Sequence, residues 1–239
     1  MHLQLAKTKD ELSRQCAEWM TTYIAETLTT QDRFTLVLSG GSTPKTLYSL
    51  LASPSFRDRI DWQKLHFFWG DERYVPFEDE RNNAKMVFNA LLDNVPVNKE
   101  QVHIMSTSLP PEKAAADYEN ILRKYFKDQT TTFDLVLLGL GDDAHTLSLF
   151  PGYPVIRENK KWVDAFYLES QDMYRITLTP PVVNQARRVA FLVSGGDKAA
   201  AVYHTIASEH DPDLYPAQIV QPFHTDAFWF CDEAAAADL

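Results

Sequence analysis

Two kinds of segment alternate along this chain. Short, largely apolar runs such as FTLVL at 34–38 and LVLL at 135–138 are typical of strands covered on both faces of a sheet. Longer segments between them carry apolar residues at helical spacing, and the first begins at Thr8 and Glu11, which have the spacing of a capping box. The alternation of the two patterns predicts an α/β protein.

The predicted elements follow one another in strand–helix units. We expect helices over 8–28, 42–52, 82–93, 110–126 and the second half of 187–207, and strands within 33–41, 65–76, 133–141, the first half of 187–207 and 227–232. The last strand is expected to close the sheet. Because no long Gly/Ser linker interrupts the pattern, we predict one domain over 1–239, Rossmann-like, with a mostly parallel sheet and helices on both faces.

Glycines and ionisable residues collect where the predicted strands end, at 39–43, 70–73, 139–145 and 194–198. Ligands of open parallel sheets bind outside the carboxyl ends of the strands. The sequence therefore predicts a binding site formed by these four turns.

Two of these turns have the form of anion sites. Gly40 and Gly41 would let the backbone approach a ligand, while Ser42 and Thr43 would add hydroxyl donors at a helix start. The alternative is an ordinary turn in which Ser42 or Thr43 caps the helix. Lys198 in the second turn opposes the helix dipole unless an anion is near, which favours a functional role.

Further charges fall on the same predicted edge. Asp71 could orient substrate hydroxyls, and the planar forks of Arg73 and Arg175 could hold a phosphate. For Asp71 and Arg73 the alternative is a solvated, salt-bridged turn after the strand. Arg175 is unusual because it begins an apolar, strand-like run.

His145 lies at the predicted end of a strand with Asp143 two residues before it, so the carboxylate could fix the imidazole tautomer. A metal held with Asp142 is the weaker interpretation, since no further ligands occur at recognisable spacing. The segment GLGDDA at 139–144 also matches a dinucleotide fingerprint, but Pro151 limits the following helix to about two turns. The segment therefore favours neither a metal site nor a dinucleotide site.

Composition narrows the class of protein. With 23 basic and 33 acidic residues the net charge is −10, which argues against nucleic acid and anionic membranes as partners. No run approaches the length of a membrane span, and the first residues lack the pattern of a signal peptide. We expect a soluble, cytoplasmic protein in which Cys16 and Cys231 are core thiols.

Five ordered segments together resemble the 6-phosphogluconolactonases, which share a superfamily and fold with the glucosamine-6-phosphate deaminases. They are LSGGSTPKTLY at 38–48, FFWGDERYVP at 67–76 with Asn83 downstream, LLGLGDDAHTLSLFPG at 137–152, RITLTPPVVNQARRVAFLVSGGDKA at 175–199 and YPAQIVQP at 215–222. The resemblance implies hydrolysis of 6-phosphogluconolactone to 6-phosphogluconate in the pentose phosphate pathway, without metal or cofactor.

The chain departs from that family at three positions. Ala144 stands where the family usually has glycine, Asp142 where it has proline, and Gln218 where it tends to have serine. If the backbone at Ala144 needs a positive φ, alanine costs about 1 kcal/mol. The deaminase turn is similar but carries a glutamate five residues after its histidine, where this chain has Phe150.

The mechanism that we expect uses His145 as the general base that takes a proton from water and returns it to the leaving oxygen. Asp143 would orient His145, and the glycine turn, Arg73, Arg175 and Lys198 would hold the phosphate. Two alternatives are a glucosamine-6-phosphate deaminase and a non-catalytic sugar-phosphate sensor. The partner is a small phosphosugar lactone, and we expect a monomer or weak homodimer.

Overall fold

Parallel strands form the centre of the structure, a computed structural model that describes residues 1–127 and 129–239. The strands are β1 (His2–Ala6), β2 (Phe34–Leu38), β3 (Leu65–Trp69), β5 (Val102–His103), β6 (Leu135–Leu138), β9 (Arg188–Val193) and β10 (Phe228–Asp232). Within the described residues they form one seven-stranded sheet in the order β1-β10-β9-β6-β2-β3-β5, with every pairing parallel. The predicted parallel sheet is confirmed.

Helices cover both faces of this sheet, as predicted. The helices α1 (Lys9–Thr27), α2 (Ser42–Leu51) and α3 (Asn83–Ala90) pack on one face, and α4 (Pro111–Tyr125), α5 (Pro180–Val183) and α6 (Ala199–Ile206) pack on the other. None of the helices within residues 1–127 and 129–239 has both the length and the apolar character that a transmembrane span requires.

Alternate side chains of the central strands enter two separate cores. In β2, Phe34, Leu36 and Leu38 face α1 and α2, while Val37 faces α4 and α5. The same alternation holds in β3, β6 and β9, since neighbouring residues of a strand point to opposite faces. Burying each such side chain is worth about 1.5–3 kcal/mol, which explains why these strands are apolar on both faces.

A second, three-stranded sheet lies beside the first and was not predicted. It consists of β4 (Asp71–Arg73), β8 (Met173–Leu178) and β7 (Val163–Leu168) in the antiparallel order β4-β8-β7. Gly70 joins the sheets, because its N–H donates to the Leu38 carbonyl and its carbonyl accepts from the Leu178 N–H. The interpretation of 71–73 as a charged turn is thus wrong, and Arg175 lies inside β8.

Two other predictions need correction. The strand β10 does not close the sheet, because β1 pairs along its outer side. The strand β1 was not predicted: it has only five residues, HLQLA, and most of them are exposed. The short helix expected after Gly141 is also absent from this described segment: residues 142–152 form turns, with a bridge between Thr146 and Leu149.

The order of the strands creates a crevice at the centre of the sheet. From β2 the chain proceeds to β3 and β5 on one side, whereas β6, β9 and β10 lie on the other. The loops that follow β2 and β6 therefore leave the sheet in different directions. A ligand site is expected at such a switch point, outside the carboxyl ends of the strands.

Candidate active site

Nine of the ten predicted site residues line one cavity of ≈ 330 Å³ at this switch point. Three of the four predicted turns reach it from β2, β6 and β9, and the second sheet contributes the remaining side chains. The nine are Gly40, Gly41, Ser42, Thr43, Asp71, Arg73, His145, Arg175 and Lys198. Asp143 does not line the cavity but contacts His145.

The turn after β2 presents the start of α2 to the cavity. Gly41 is the N-cap residue with φ +106°, and within the described part of the chain no side chain caps this helix. The alternative that Ser42 or Thr43 serves as the N-cap is therefore wrong. Both residues lie in the first turn, where their backbone N–H groups are left without helical partners and can receive an anion.

The turn after β9 repeats this backbone geometry. Gly195 also has φ +106°, and its N–H donates to the Asp232 carboxylate. Lys198 ends a short 3-10 turn that leads into α6, and its ammonium lies 3.4 Å from Asp197. Lys198 thus brings a cation to the cavity at a helix start, as the sequence suggested.

Two arginines face the cavity from directly opposed positions of the second sheet. Arg73 of β4 and Arg175 of β8 are cross-strand partners, which places both side chains on the same face. Like charges directly opposite each other in a sheet are destabilising. The arrangement is therefore typical of a site that binds an anion between two guanidinium groups.

Arg175 is only 4% exposed, and not all of its guanidinium nitrogens have a hydrogen-bond partner among the described residues. Its Nη2 donates to Gln171 Oε1 at 2.6 Å and its Nη1 lies 3.7 Å from Asp71 Oδ2, but its Nε is without a partner among the described residues. Burial lowers the pKa of the guanidinium, and Asp71 opposes that effect.

Asp71 is held rigidly beside the arginines. Ser148 Oγ donates to its Oδ2 at 2.7 Å, and the Asn83 side chain donates to its backbone carbonyl at 2.9 Å. Asn83 in turn packs against Gly40, where an added Cβ would lie 2.0 Å from Asn83 Oδ1. Gly40 is thus required by the close approach of Asn83, which links the β2 turn to Asp71.

The neighbouring Glu72 has a structural position. Its carboxylate accepts from the backbone N–H groups of Asn83, Ala84 and Arg73 at 2.6 to 2.9 Å, so it fixes the start of α3. Burial raises the pKa of Glu72 to about 7, against the opposing effect of these donors. Glu72 is not among the residues that line the cavity.

The imidazole of His145 is held by Asp143 and faces the cavity. Asp143 Oδ1 lies 2.5 Å from His145 Nδ1 and also accepts from the His145 backbone N–H at 3.0 Å. Partial burial tends to raise the pKa of Asp143, but the hydrogen bonds and charge of His145 outweigh it, so the pKa is below its usual value. Engaging Nδ1 in this way leaves Nε2 for proton transfer.

Gly141 is explained by this pair and not by a dinucleotide. A Cβ at Gly141 would lie 2.0 Å from His145 Nδ1 and 2.5 Å from Asp143 Oδ1. The fingerprint glycine is therefore needed so that the Asp143 and His145 side chains can fold back over the turn.

The backbone around His145 is strained on both sides. Ala144 has φ +58° and Leu147 has φ +56°, both in the left-handed region. Such residues cost about 1–3 kcal/mol each and persist where the surroundings hold them, often at functional sites. The condition stated for Ala144, a backbone with a positive φ, is therefore met.

The polar residues of the site that were not predicted as site residues include Asn83 and Gln171, which line the cavity, and Ser148, which holds Asp71. Asn83 entered only through the resemblance. Ser148 is buried behind Asp71, and Gln171 lies at the turn between β7 and β8. No local sequence signal could have found Ser148 or Gln171, because both contact the site only through the unpredicted second sheet.

Gln218, one of the departures from the family pattern, lies outside this cavity. It lines a different cavity of ≈ 480 Å³ that also includes Trp229. Its side chain donates to the carbonyls of His204 and Glu209 and accepts from the Asp211 N–H. Gln218 therefore ties the end of α6 to the following loop.

No group of three or more His, Cys, Asp or Glu side chains within 1–127 and 129–239 is arranged to hold a metal ion. Cys16 and Cys231 are both buried and unpaired in this part of the chain. Burial raises the pKa of the Cys231 thiol to about 12.

Known proteins share both the sequence and the fold. Residues 7–229 match the family described as glucosamine-6-phosphate isomerases/6-phosphogluconolactonase. A 6-phosphogluconolactonase of Synechocystis is 40% identical over 224 residues, which cover 92% of this chain and 90% of that protein.

Two solved structures are similar over the whole chain. The 6-phosphogluconolactonase of Trypanosoma cruzi superposes with a TM-score of 0.87 at 28% identity and covers 100% of this chain and 96% of its own. A monomeric glucosamine-6-phosphate deaminase superposes with a TM-score of 0.86 at 20% identity over 100% of both chains, which shows a shared fold. This chain therefore belongs to the glucosamine-6-phosphate isomerase/6-phosphogluconolactonase family.

Proposed function

We propose that this protein hydrolyses 6-phosphogluconolactone to 6-phosphogluconate. The proteins to which it is similar are named 6-phosphogluconolactonases, which supports this reaction. One observation carries the proposal: a cavity that contains both an imidazole held by a carboxylate and a pair of opposed arginines. The first suits proton transfer and the second suits a phosphate, so the substrate carries its phosphate at a distance from the reacting carbonyl.

The phosphate lies, in this proposal, between the start of α2 and the arginines. Its ligands are the N–H groups of Ser42 and Thr43, the guanidinium groups of Arg73 and Arg175 and the ammonium of Lys198. Anchoring the phosphate makes attack on the carbonyl effectively intramolecular. Asp71, fixed by Ser148, accepts from the sugar hydroxyls.

The reaction runs through His145. Its Nε2 takes a proton from water while the water oxygen forms a bond to the lactone carbonyl carbon, which creates a tetrahedral oxyanion. The oxyanion collapses, the bond to the ring oxygen breaks, and the imidazolium gives that oxygen the proton. Asp143 stabilises the imidazolium and fixes the ring.

Phe150 favours this reaction over deamination. Its ring packs on the His145 imidazole, at the position where the deaminase turn carries a glutamate. A phenyl ring takes no proton, so the ring-opening relay of a deaminase is incomplete here. The left-handed Ala144 still leaves His145 at the cavity, which favours turnover over a purely sensing role.

One set of parallel assays tests the proposed reaction. Purified protein is incubated with 6-phosphogluconolactone and, separately, with glucosamine 6-phosphate; lactone loss above the spontaneous rate, ammonia release and ligand-induced thermal shift are measured. We expect accelerated lactone loss and no ammonia. Ammonia release would support the deaminase, and binding of 6-phosphogluconate with no accelerated hydrolysis would support the sensor.

The proposal includes the expectations that concern the whole protein. Residues 1–239 act as one domain, the enzyme works in the cytoplasm without a metal or organic cofactor, and it is a monomer or a weak homodimer. Size-exclusion chromatography with light scattering tests the assembly, and activity after dialysis against a chelator tests the metal.

A further inference from the structure

Phe150 is the aromatic neighbour of the candidate base. Its ring centroid lies 4.1 Å from that of His145, with 25° between the two planes. Phe150 is 6% exposed and is not among the residues that line the cavity, whereas the His145 side chain is 27% exposed and lines it. The phenyl ring therefore covers one face of the imidazole from behind the site.

The stacking supplies a constraint that the hydrogen bond lacks. Asp143 holds Nδ1 by a hydrogen bond, but a hydrogen bond tolerates a range of angles, so the ring can still tilt by small rotations about the Cα–Cβ and Cβ–Cγ bonds. Contact with Phe150 restricts that tilt. Since the position of Nε2 depends on the ring plane, Phe150 decides where the proton-transfer atom points.

Phe150 is itself held in place by the turn that contains it. Thr146 Oγ1 donates to the Gly139 carbonyl at 2.8 Å, and the Leu149 N–H donates to the Thr146 carbonyl at 2.9 Å. The Tyr153 N–H donates to the Phe150 carbonyl, and the two rings meet edge to face. The phenyl ring is therefore a rigid support for the imidazole.

The same ring contacts the proposed phosphate ligand. The guanidinium carbon of Arg175 lies 5.7 Å from the Phe150 centroid, within the range of a cation–π interaction. The π face of Phe150 also favours the imidazolium that forms when His145 takes a proton. One side chain thus touches both the candidate base and one of the arginines.

We infer that Phe150 is a positioning residue that sets the plane of the His145 imidazole for proton transfer. The inference rests on the proposed function, because the ring plane matters to turnover only if His145 is the base. Phe150 does not line the cavity, and Arg175 keeps its contacts with Gln171 and Asp71 when the phenyl ring is lost, so the effect of Phe150 falls on kcat through His145 and KM stays nearly unchanged.

The kinetic test compares an aliphatic and an aromatic replacement. Phe150→Leu removes the π face at similar bulk, Phe150→Tyr keeps it, and Phe56→Leu is the matched control, since Phe56 is a buried ring near Arg59 on the other face of the sheet. We expect Phe150→Leu to lower kcat about tenfold with KM changed less than about twofold. Phe150→Tyr is expected to stay within about threefold of wild-type kcat.

A second measurement does not depend on turnover. In a proton NMR spectrum of the wild-type protein, the stacked phenyl ring shifts the His145 ring protons upfield; His145→Gln assigns these signals. Phe150→Leu is expected to abolish the upfield shift, while Phe56→Leu leaves it unchanged. If the wild-type protein fails to hydrolyse the lactone, the proposed function falls while the NMR shift still decides whether Phe150 holds the imidazole.

Several outcomes would overturn the inference. Phe150 would only fill space if Phe150→Leu kept the wild-type kcat. The same conclusion would follow if Phe150→Leu and Phe150→Tyr lost kcat equally at matched unfolding temperatures, or if the wild-type protein showed no upfield shift. A raised KM with an unchanged kcat would place Phe150 among the binding residues instead.

Discussion

Gly141, like Gly40, has no room for a side chain in the candidate site. A Cβ there would lie 2.0 Å from His145 Nδ1 and 2.5 Å from Asp143 Oδ1. We predict that Gly141→Ala pushes the imidazole away and lowers kcat about 100-fold, since a misplacement of about 1 Å can have that effect. Steady-state lactone hydrolysis measures it.

Gly196→Ala is the control for this change, because the nearest atom to its added Cβ would be 3.9 Å away. It is expected to keep wild-type kcat. A Gly141→Ala protein with a normal rate would show that the observed pairing of Asp143 and His145 is not needed for turnover.

Ala144 tests whether the strained turn harms the protein. In Ala144→Gly, relief of the left-handed conformation gains about 1–2 kcal/mol. Loss of a buried methyl costs about 0.8 kcal/mol, and the more flexible unfolded chain costs about 0.4–1 kcal/mol. We therefore expect the free energy of unfolding, measured by urea denaturation, to change by less than about 1 kcal/mol.

The rate of lactone hydrolysis by Ala144→Gly is expected to stay within about threefold of wild type, because His145 already lies at the cavity. A much larger gain in rate would mean that alanine at this position holds the imidazole away from its productive place.

Charges at strand ends allowed most candidate side chains to be predicted from sequence. His145, Arg175 and Lys198 stood out because each ionisable group follows or enters an apolar run. Ser148 did not, since it reaches the site by a hydrogen bond to Asp71, 77 positions away in the chain. Gln171 did not either, since its partner Arg175 lies in the second sheet, which was not predicted. Such contacts have no local pattern.

At the scale of elements, Gln218 is a connection between α6 and the loop that follows it. Its side chain is 7% exposed and forms three hydrogen bonds with the backbone at 204–211. A serine is too short to replace them and would leave buried groups unpaired. We predict that Gln218→Ser lowers the free energy of unfolding by about 1–3 kcal/mol without changing kcat.

Gln221→Ser is the matched control, because Gln221 is exposed and, among the described residues, its side chain forms a single hydrogen bond, to the Gln218 carbonyl. Its unfolding energy is expected to change by less than about 0.5 kcal/mol. Equal stability of both variants in urea would contradict the connecting role of Gln218.

The edge of the sheet at β5 makes stability depend on pH. His103 stacks with Phe68 and lies beside His66 and Tyr125, with Arg33 over the Tyr125 ring. Burial, and then the charge of His66, lower the pKa of His103 to about 4, and burial with Arg33 lowers the pKa of His66. Both rings thus resist protonation in the folded state.

Because an unfolded histidine has a pKa of about 6.5, the unfolded chain binds the proton first as the pH falls. The stability that the neutral His103 ring provides is present above pH 6.5 and declines between 6.5 and about 4. We predict that His103→Phe flattens the fall of the unfolding temperature over this range. His224→Gln, at an exposed position, is the control and should follow wild type.

Glu72 has the opposite effect on the pH dependence of stability. Because its pKa is raised to about 7, its contribution to stability falls as the pH rises from 4.5 to 7. It is present in wild type and in both histidine variants, so it cancels in the comparison. An unchanged pH slope in His103→Phe would contradict the account of this edge.

Elements with a strong pattern were predicted well and weak ones were missed. The strands β2, β3, β6 and β9 are apolar on both faces, and the helices α1 and α4 have clear amphipathic spacing. The strand β4 consists of three charged residues, and β1 has only five residues, most of them exposed, so neither gives a strong signal. Their place is set by pairing with distant strands.

At the scale of the whole molecule, the parallel sheet gathers the site. Its switch point brings the turns after β2, β6 and β9 to one cavity, which the alternation of strands and helices predicts. The second sheet adds Asp71, Arg73 and Arg175, so that a protein of net charge −10 has a local cluster of cations. That cluster can hold an anion despite the overall charge.

The most direct test of the central claim is the rate of 6-phosphogluconolactone hydrolysis, above the spontaneous rate, by the wild-type protein and by His145→Ala. General base catalysis contributes about 10²–10⁴-fold, so we predict a loss of that size in kcat at an unchanged unfolding temperature, with His224→Ala as the control. A folded His145→Ala protein that hydrolyses the lactone at the wild-type rate would contradict the account.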